Sequence, residues 1–584
     1  GPISIYGGYV NINGNLTSSA TGDIFIKGIA GTNPSIWVQS GKTITKSGGT
    51  GTLTMQGHGR VLHQGSITTS GTGVLNVIFW SDFDNDNDDG GVSQFGTIST
   101  NGGHVWLGGS NSNGGSYTWN GLTVGDGPSI GSTGFNGNAM DIYGNITTNG
   151  GDFLAWAGSA AGSSIAGIAN DGSGDIVSVG SGDIVLITDM VSGTAGAAMY
   201  FTQSGGTFTL VPHDGSFRSA FNWNPAIQTY IGSTADDYNI QAGDFDWLGI
   251  GDLNSISRLT IGYYNGMLNN GIPVEFTNSS NITFSTATTA AGAVELYGGV
   301  IALNTNLTTT SSTNGNIVLS GTTLSGSANL AVATGRTATI NVSSNSTYDG
   351  IISGTGSGLT KLGTGMLTLT KDHTYSGATV ITSGDLQVGT GGSIDQASSG
   401  SIANTTAVTV ESGSKLILTP NEDIDFDAPI SGDGGVEIKG ASGAYYNSYL
   451  TGTAATIATN STVLEVLTRI TGGFLLSANV NGTAGTYHKS YNAATNTATF
   501  QFQQFEVTFT KCVFVQLSQS GNNVQIRGNT SIYNGAAYRS GNHLGADMST
   551  GSIQIGPGLA TSSGGTGYGV SKVYMSGKVN FTGN

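Results

Sequence analysis

Ile5-Tyr6-Gly7-Gly8-Tyr9-Val10-Asn11-Ile12-Asn13-Gly14-Asn15-Leu16-Thr17 returns far downstream as Leu296-Tyr297-Gly298-Gly299-Val300-Ile301-Ala302-Leu303-Asn304-Thr305-Asn306-Leu307-Thr308. Each copy soon reaches a second short apolar run, Asp23-Ile24-Phe25-Ile26 and Asn316-Ile317-Val318-Leu319. A unit reused at such distance implies repeat architecture. One such unit cannot bury its apolar face alone, so units stack. Working outward, Thr97-Ile98-Ser99-Thr100-Asn101-Gly102-Gly103 leads into His104-Val105-Trp106-Leu107. Asn145-Ile146-Thr147-Thr148-Asn149-Gly150-Gly151 leads into Asp152-Phe153-Leu154-Ala155-Trp156, and Ser66-Ile67-Thr68-Thr69-Ser70-Gly71 into Val74-Leu75-Asn76-Val77. Each reads as strand, Asn-Gly corner, strand. The corner needs a positive φ, which Asn and Gly tolerate. Spacing between copies varies, which predicts loops inserted at the corners of otherwise regular coils.

Composition agrees. Of 584 residues 97 are Gly and 9 Pro, with no three-residue period, so collagen is excluded. Only 9% are charged and 37% are hydrophobic, which argues against disorder. Short Val/Ile/Leu/Thr runs between Gly, Asn, Ser and Asp are strand-and-turn sequence. The expected fold is all-β: a parallel β-helix (β-solenoid) rod with a small inserted or appended β-rich module. Coils of about 20–25 residues stacked about 4.8 Å apart predict a rod on the order of 100 Å. Asn and Thr at equivalent positions are expected to ladder between coils.

The segments expected are 1–340, a solenoid with Gly-Gly corners; 341–447, a solenoid of a different repeat; 448–530, a small β-rich module; and 531–584, Gly/Ser-rich strands. One helix is predicted, over 461–470, capped by Ser461 or Thr462. Strands are predicted over 500–509 and 513–517, with a hairpin turning at Gly521-Asn522-Asn523.

The second repeat carries a resemblance. Leu359-Thr360-Lys361-Leu362-Gly363-Thr364-Gly365-Met366-Leu367-Thr368-Leu369-Thr370 is followed by Thr374-Tyr375-Ser376-Gly377-Ala378-Thr379-Val380 and Gly384-Asp385-Leu386-Gln387-Val388-Gly389. This closely resembles the passenger-associated repeat of bacterial autotransporters, with His373 where that pattern commonly has Asn. The Gly-Gly repeats of the first 340 residues resemble filamentous-haemagglutinin-type adhesins and large secreted adhesins of Bacteroidota. The resemblance implies a secreted, extracellular or cell-surface location.

Charge narrows the partners. The net charge is −17, from 18 Lys+Arg against 35 Asp+Glu. Nucleic acid needs clustered cations and is not expected. No apolar run spans a bilayer, so no direct membrane insertion is expected. Gly1-Pro2-Ile3-Ser4-Ile5 has neither the basic nor the apolar region of a signal peptide, and both chain ends read as a piece of something longer. Cys512 is alone, which excludes a disulfide framework and reads as a buried small hydrophobe.

Asp82-Phe83-Asp84-Asn85-Asp86-Asn87-Asp88-Asp89-Gly90-Gly91 alternates carboxylates. Asp82, Asp84, Asp86 and Asp88 either converge on Ca²⁺, which takes six to eight oxygens, or form a solvated acidic corner; the spacing is not that of an EF-hand. Asp236, Asp237, Asp244 and Asp246 raise paired-carboxylate glycoside chemistry, but spacing does not place them on one face. His58 and His63 form no zinc pattern. Trp80, Trp106, Trp119, Trp156, Trp223 and Trp247 are expected to pack at coil edges rather than stack on sugars. Frequent sequons such as Asn15-Leu16-Thr17 and Asn281-Ile282-Thr283 are expected by chance in an Asn/Thr-rich chain. The functional expectation is a non-catalytic adhesin or stalk. Its partners would be cell-surface glycans, other cells or further copies of itself. A head-to-tail homo-oligomeric filament is the alternative, and a polysaccharide-degrading enzyme a third reading.

Overall fold

A computed structural model describes residues 2–19, 22–30, 33–85, 90–130, 138–158, 167–169, 176–189, 191–192, 199–217, 221–223, 238–240, 248–250, 253–284, 287–390, 400–419, 428 and 430–438, and beyond these the backbone of strand segments within 457–582. The chain divides into two compact units, Gly1–Thr322 and Thr323–Asn584.

The first unit is a parallel β-helix. Each coil contributes one strand to each of three sheets, as in Ile24–Gly28, Ile36–Val38 and Thr43–Lys46. The next coil repeats the order with Thr50–Gly57, Val61–His63 and Ser66–Thr69. Pairing from coil to coil is parallel and in register. Ile24, Leu53, Val77, Val105, Phe153, Ile184, Phe208, Leu259 and Val294 form one column through the first sheet. Every member is fully buried, so this column is the spine of the core. The two copies of the opening motif make the same bond. The Ile3 N–H donates to the Asp23 carbonyl at 2.9 Å, and the Val294 N–H to Asn316 at 3.0 Å.

The corner residues behave as their chemistry requires. Asn101 and Gly102 lie at φ 55° and 97°, Asn149 and Gly150 at 57° and 114°. A ladder exists, with Asp, Asn and His accepting where Asn and Thr are expected, and it sits one residue before the buried column of the first sheet. There the side chain at one coil accepts the backbone N–H of its equivalent in the next: Asp23 from Thr52, Asn76 from His104, His104 Nδ1 from Asp152, Asp152 from Asp183, Asp183 from Thr207. The steps are 29, 28, 48, 31 and 24 residues, the first four wider than the 20–25 expected because loops and one hairpin are inserted at corners. Two sequon asparagines serve the same end, Asn15 capping Thr43 and Asn281 capping Val300.

Strands of the first sheet differ in which faces they bury. Ile24–Gly28 alternates buried and half-buried positions. Val105–Gly108, Phe153–Trp156 and Ile184–Ile187 are buried throughout. Continuous apolar runs of this kind require cover on both faces. Two antiparallel hairpins supply it. Ser116–Trp119 pairs with Leu122–Gly125, and Tyr263–Asn269 with Ile272–Thr277. Both turn at Asn-Gly: Asn120 and Gly121 at φ 49° and 75°, Asn270 and Gly271 at 50° and 81°. Thr118 pairs with Leu268, which joins the hairpins into one four-stranded sheet. Beneath it Ile78, Trp80, Trp106, Leu154, Trp156, Ile187 and Val211 form a second core with Trp119, Met267 and Phe276. Trp80, Trp106, Trp119 and Trp156 are therefore packing residues, as expected.

In the second unit one parallel sheet runs through Thr337–Val342, Gly358–Leu362, Thr379–Ile381 and Val408–Val410. A second runs through Ser346–Tyr348, Leu367–Leu369, Asp385–Val388 and Lys415–Leu418. The strands from 468 onward pair antiparallel. Val515–Ser520 and Asn523–Gly528 form the hairpin expected there, and Lys578–Thr582 pairs with Phe505–Thr510. The predicted helix is corrected in part. Thr468–Ile470 is a strand paired with Phe474–Leu476, and 461–467 lie outside the described residues. Thr468 and Ile470 are β-branched and suit a strand, and the pairing with Phe474–Leu476 supplies the partner. Among the described residues there is no helix at all.

Candidate functional site

The outward face of the first sheet changes character along the stack. One register column reads Ile78, Trp106, Leu154, Val185, then Thr209, Thr260 and Glu295. The apolar half lies under the hairpins. The polar half floors an open cleft of about 390 Å³. A second floor column, Asp152, Asp183, Thr207 and Arg258, is the end of the Asx ladder. The hairpins form the wall with Trp119 and Asn120 at one turn and Tyr263, Tyr264 and Asn265 opposite.

The wall is anchored. Trp119 Nε1 donates to the Tyr264 hydroxyl at 3.1 Å, and Asn120 Nδ2 donates to Asp152 Oδ2 at 2.6 Å. Burial pushes the Tyr264 phenol well above its ordinary range. Tyr263 and Tyr297 lie with ring centroids 5.2 Å apart across the mouth. Burial raises Tyr297 to about 12, helped by the neighbouring Glu295 carboxylate. Arg258, half exposed, pairs with Glu295 at 3.5 Å, and the Thr260 hydroxyl donates to the same carboxylate at 3.4 Å. The carboxylates here are acceptors in a structural lattice. Asp152 takes the Asp183 N–H and the Asn120 amide, and Asp183 takes the Thr207 N–H at 2.7 Å.

Sequence reasoning did not find this cleft. The two Asn-Gly turns, flanked by aromatic and apolar residues, were the available signal for the hairpins. Nothing local says that Ser116–Gly125 and Tyr263–Thr277 meet.

The acidic corner is described only in part. Asp82 is buried, and Asp84 Oδ2 lies 2.8 Å from His58 Nδ1. Asp86 and Asp88 lie outside the described residues, as do Asp236, Asp237, Asp244, Asp246, Trp247 and Cys512. Among the described residues no group of three or more His, Cys, Asp or Glu could hold a metal. His63 is apart from His58: it is fully buried, with Phe79 edge-on to its ring at 5.6 Å.

In the second unit the repeat around His373 resolves into core contacts. Tyr375 is buried, with its hydroxyl 2.6 Å from that of Thr379, which lies 3.0 Å from Thr405. Lys361 points inward, and its ammonium donates to the carbonyls of Leu362, Gly363 and Ser383 at 2.7, 2.8 and 3.1 Å. Desolvation lowers its pKa to about 8. His373 Nδ1 accepts the Ile352 N–H of the preceding coil at 2.9 Å; Asn329 and Asn345 also accept an inter-coil N–H, but from the following coil, at Ile351 and Met366. An amide oxygen and a neutral imidazole nitrogen are interchangeable acceptors here.

Residues 359–388 match the family model described as the passenger-associated-transport-repeat. The chain resembles an autotransporter passenger. No curated protein and no solved structure matches it. The passenger-type repeat and the parallel sheets together make the protein a passenger-like β-solenoid.

The imidazole at 373 has a measurable consequence. Burial pushes His373 down from 6.5 to about 4, and His63 to about 3. A folded pKa below the unfolded one means that stability is full above pH 6.5. It is lost as pH falls toward the folded value, at up to roughly 1.4 kcal/mol per pH unit for each group. His373→Asn should leave the urea midpoint at pH 7.5 nearly unchanged and reduce its fall at pH 4.5. An identical pH dependence in the variant would refute the assignment.

Proposed function

We propose that this protein is a secreted or surface-exposed, passenger-like β-solenoid that works by adhesion and not by catalysis. The observation that carries the reading is the lateral cleft at the hairpin edge, whose acidic side chains are tied into the Asx ladder and the Arg258 pair. General acid–base chemistry needs a carboxyl able to exchange a proton with substrate, and carboxylates spent on backbone N–H groups and a guanidinium suit binding better. The distributed repeat supports the same view, since a solenoid acts through surface and length.

Beads coated with the full chain should attach to glycan-bearing cells, and incubation with the same cells should release no sugar. Sugar release that Asp183→Ala abolishes would replace this reading with an enzymatic one. Within the same reading, Asp82, Asp84, Asp86 and Asp88 would hold Ca²⁺. Asp84 Oδ1 is buried without a hydrogen-bond partner, which suits a cation ligand. Chelation should then lower the melting temperature, because an ion bound only to the folded state stabilises it, and Asp84→Ala should remove the effect. A melting curve indifferent to chelator would leave a solvated corner.

A further inference from the structure

We propose that the cleft between the outward sheet face and the two hairpins binds a short stretch of neutral oligosaccharide. The inference rests on the adhesive reading above and names what is held.

Shape comes first. The floor column Asp152, Asp183, Thr207, Arg258 crosses four successive strands. At about 4.8 Å per strand it is roughly 14 Å long. Each strand step is close to the length of one pyranose ring, so an extended chain of three sugars meets an equivalent row of side chains at each ring.

The chemistry of the lining is that of a polyol site. Sugars present hydroxyls at the rim of each ring and C–H groups on its faces. Thr207, Thr209 and Thr260 offer hydroxyls, Asp183 and Glu295 acceptors, and Arg258 and Asn265 donors. Tyr263 and Tyr297, both part-exposed at the mouth, offer aromatic faces and edges for the C–H side. The wall is pre-organised by the Trp119–Tyr264 and Asn120–Asp152 bonds, so binding orders little that is not already ordered.

Charge selects among glycans. Three carboxylates, those of Asp152, Asp183 and Glu295, line the cleft against the single guanidinium of Arg258, which is already paired with Glu295. A uronate or sialic acid would enter a net negative field, because Glu295 already neutralises the one guanidinium and two carboxylates remain. A neutral chain has no such penalty. Nucleic acid and anionic lipid are disfavoured on the same ground.

The experiment is titration calorimetry of the full chain with neutral gluco-, manno- and galacto-tetraoses and with the corresponding uronate tetramers. At least one neutral tetraose should bind, and every uronate should bind at least tenfold more weakly. Tyr263→Ala and Arg258→Ala should each weaken the neutral ligand tenfold or more. Tyr9→Ala, at a remote exposed tyrosine, should change nothing, and circular dichroism should show all three variants folded. No binding by any neutral tetraose, equal binding of a uronate, or equal behaviour of Tyr263→Ala and Tyr9→Ala would overturn the proposal. Mass spectrometry of the recovered ligand separates the two readings. A bound tetraose that is also cleaved upholds the ligand class and sinks the non-catalytic function. Cell attachment that persists without any tetraose binding sinks the ligand class and leaves adhesion standing.

Discussion

Asp141→Ala should destabilise the first unit by about 3–5 kcal/mol, read as a lowered denaturation midpoint. Arg60 and Asp141 are both fully buried, with Nη1 3.3 Å from Oδ2, and Asp141 stands in the outward-facing column of the second sheet that begins at Asn11 and Trp37. Ser93, on the strand between them, donates to Asp141 Oδ2 at 2.8 Å and accepts from Arg60 at 2.6 Å. Asn138 completes the set, its amide donating to Asp141 Oδ1 at 2.9 Å and its carbonyl accepting from Arg60 Nη2 at 3.1 Å. The network staples successive strands Val61–His63, Val92–Gln94 and Met140–Ile142. Truncating the acid leaves a buried guanidinium without its carboxylate, and that, rather than the lost attraction, sets the magnitude. The double variant Arg60→Met/Asp141→Leu should recover most of the loss, since an apolar pair of similar volume avoids the desolvation of both charges. A single variant as stable as the parent would show that water reaches the site.

Trp156→Ala should cost about 3–5 kcal/mol and detach both hairpins from the sheet. Its ring stacks on Tyr117 of one hairpin at 6.2 Å and meets Phe276 of the other edge-on at 5.1 Å. Limited proteolysis should then cut within 112–126 and 263–277 faster than in the parent, while the coils below stay intact because each contacts mainly its neighbours. Trp156→Phe should lie between the two, keeping the edge contact and losing area. Cleavage patterns unchanged by Trp156→Ala would mean that the hairpins hold themselves down without the second core.

Much of this was legible in the letters, for definite reasons. Ile67, Ile98 and Ile146 are predicted equivalents and do pair across successive coils. A coil is a local object: the run of two to five apolar residues, the Asn-Gly corner and the residue before each strand all declare themselves within a few positions. The predicted laddering follows from the same locality, because a parallel stack places equivalent residues one strand spacing apart. The helix over 461–470 failed where it is described, at 468–470, since a short apolar run is ambiguous between helix and strand until a partner strand is known.

What the letters settle about this protein, then, is the coil: parallel strands, their corners, their register and the passenger-type repeat at 359–388. The cleft belongs to the tertiary structure. Val105-Trp106-Leu107 and Phe153-Leu154-Ala155-Trp156 announce in sequence that both faces must be covered, but not by what. The cover comes from two hairpins inserted at different corners, and their meeting at Thr118 and Leu268 spans separations that no local pattern encodes. Only when the coils are stacked do Asp183, Arg258 and Glu295 come to line one cleft with Tyr263. Periodicity reports what each residue does toward its own core, whereas a site is made by residues whose only relation is the space the fold closes between them.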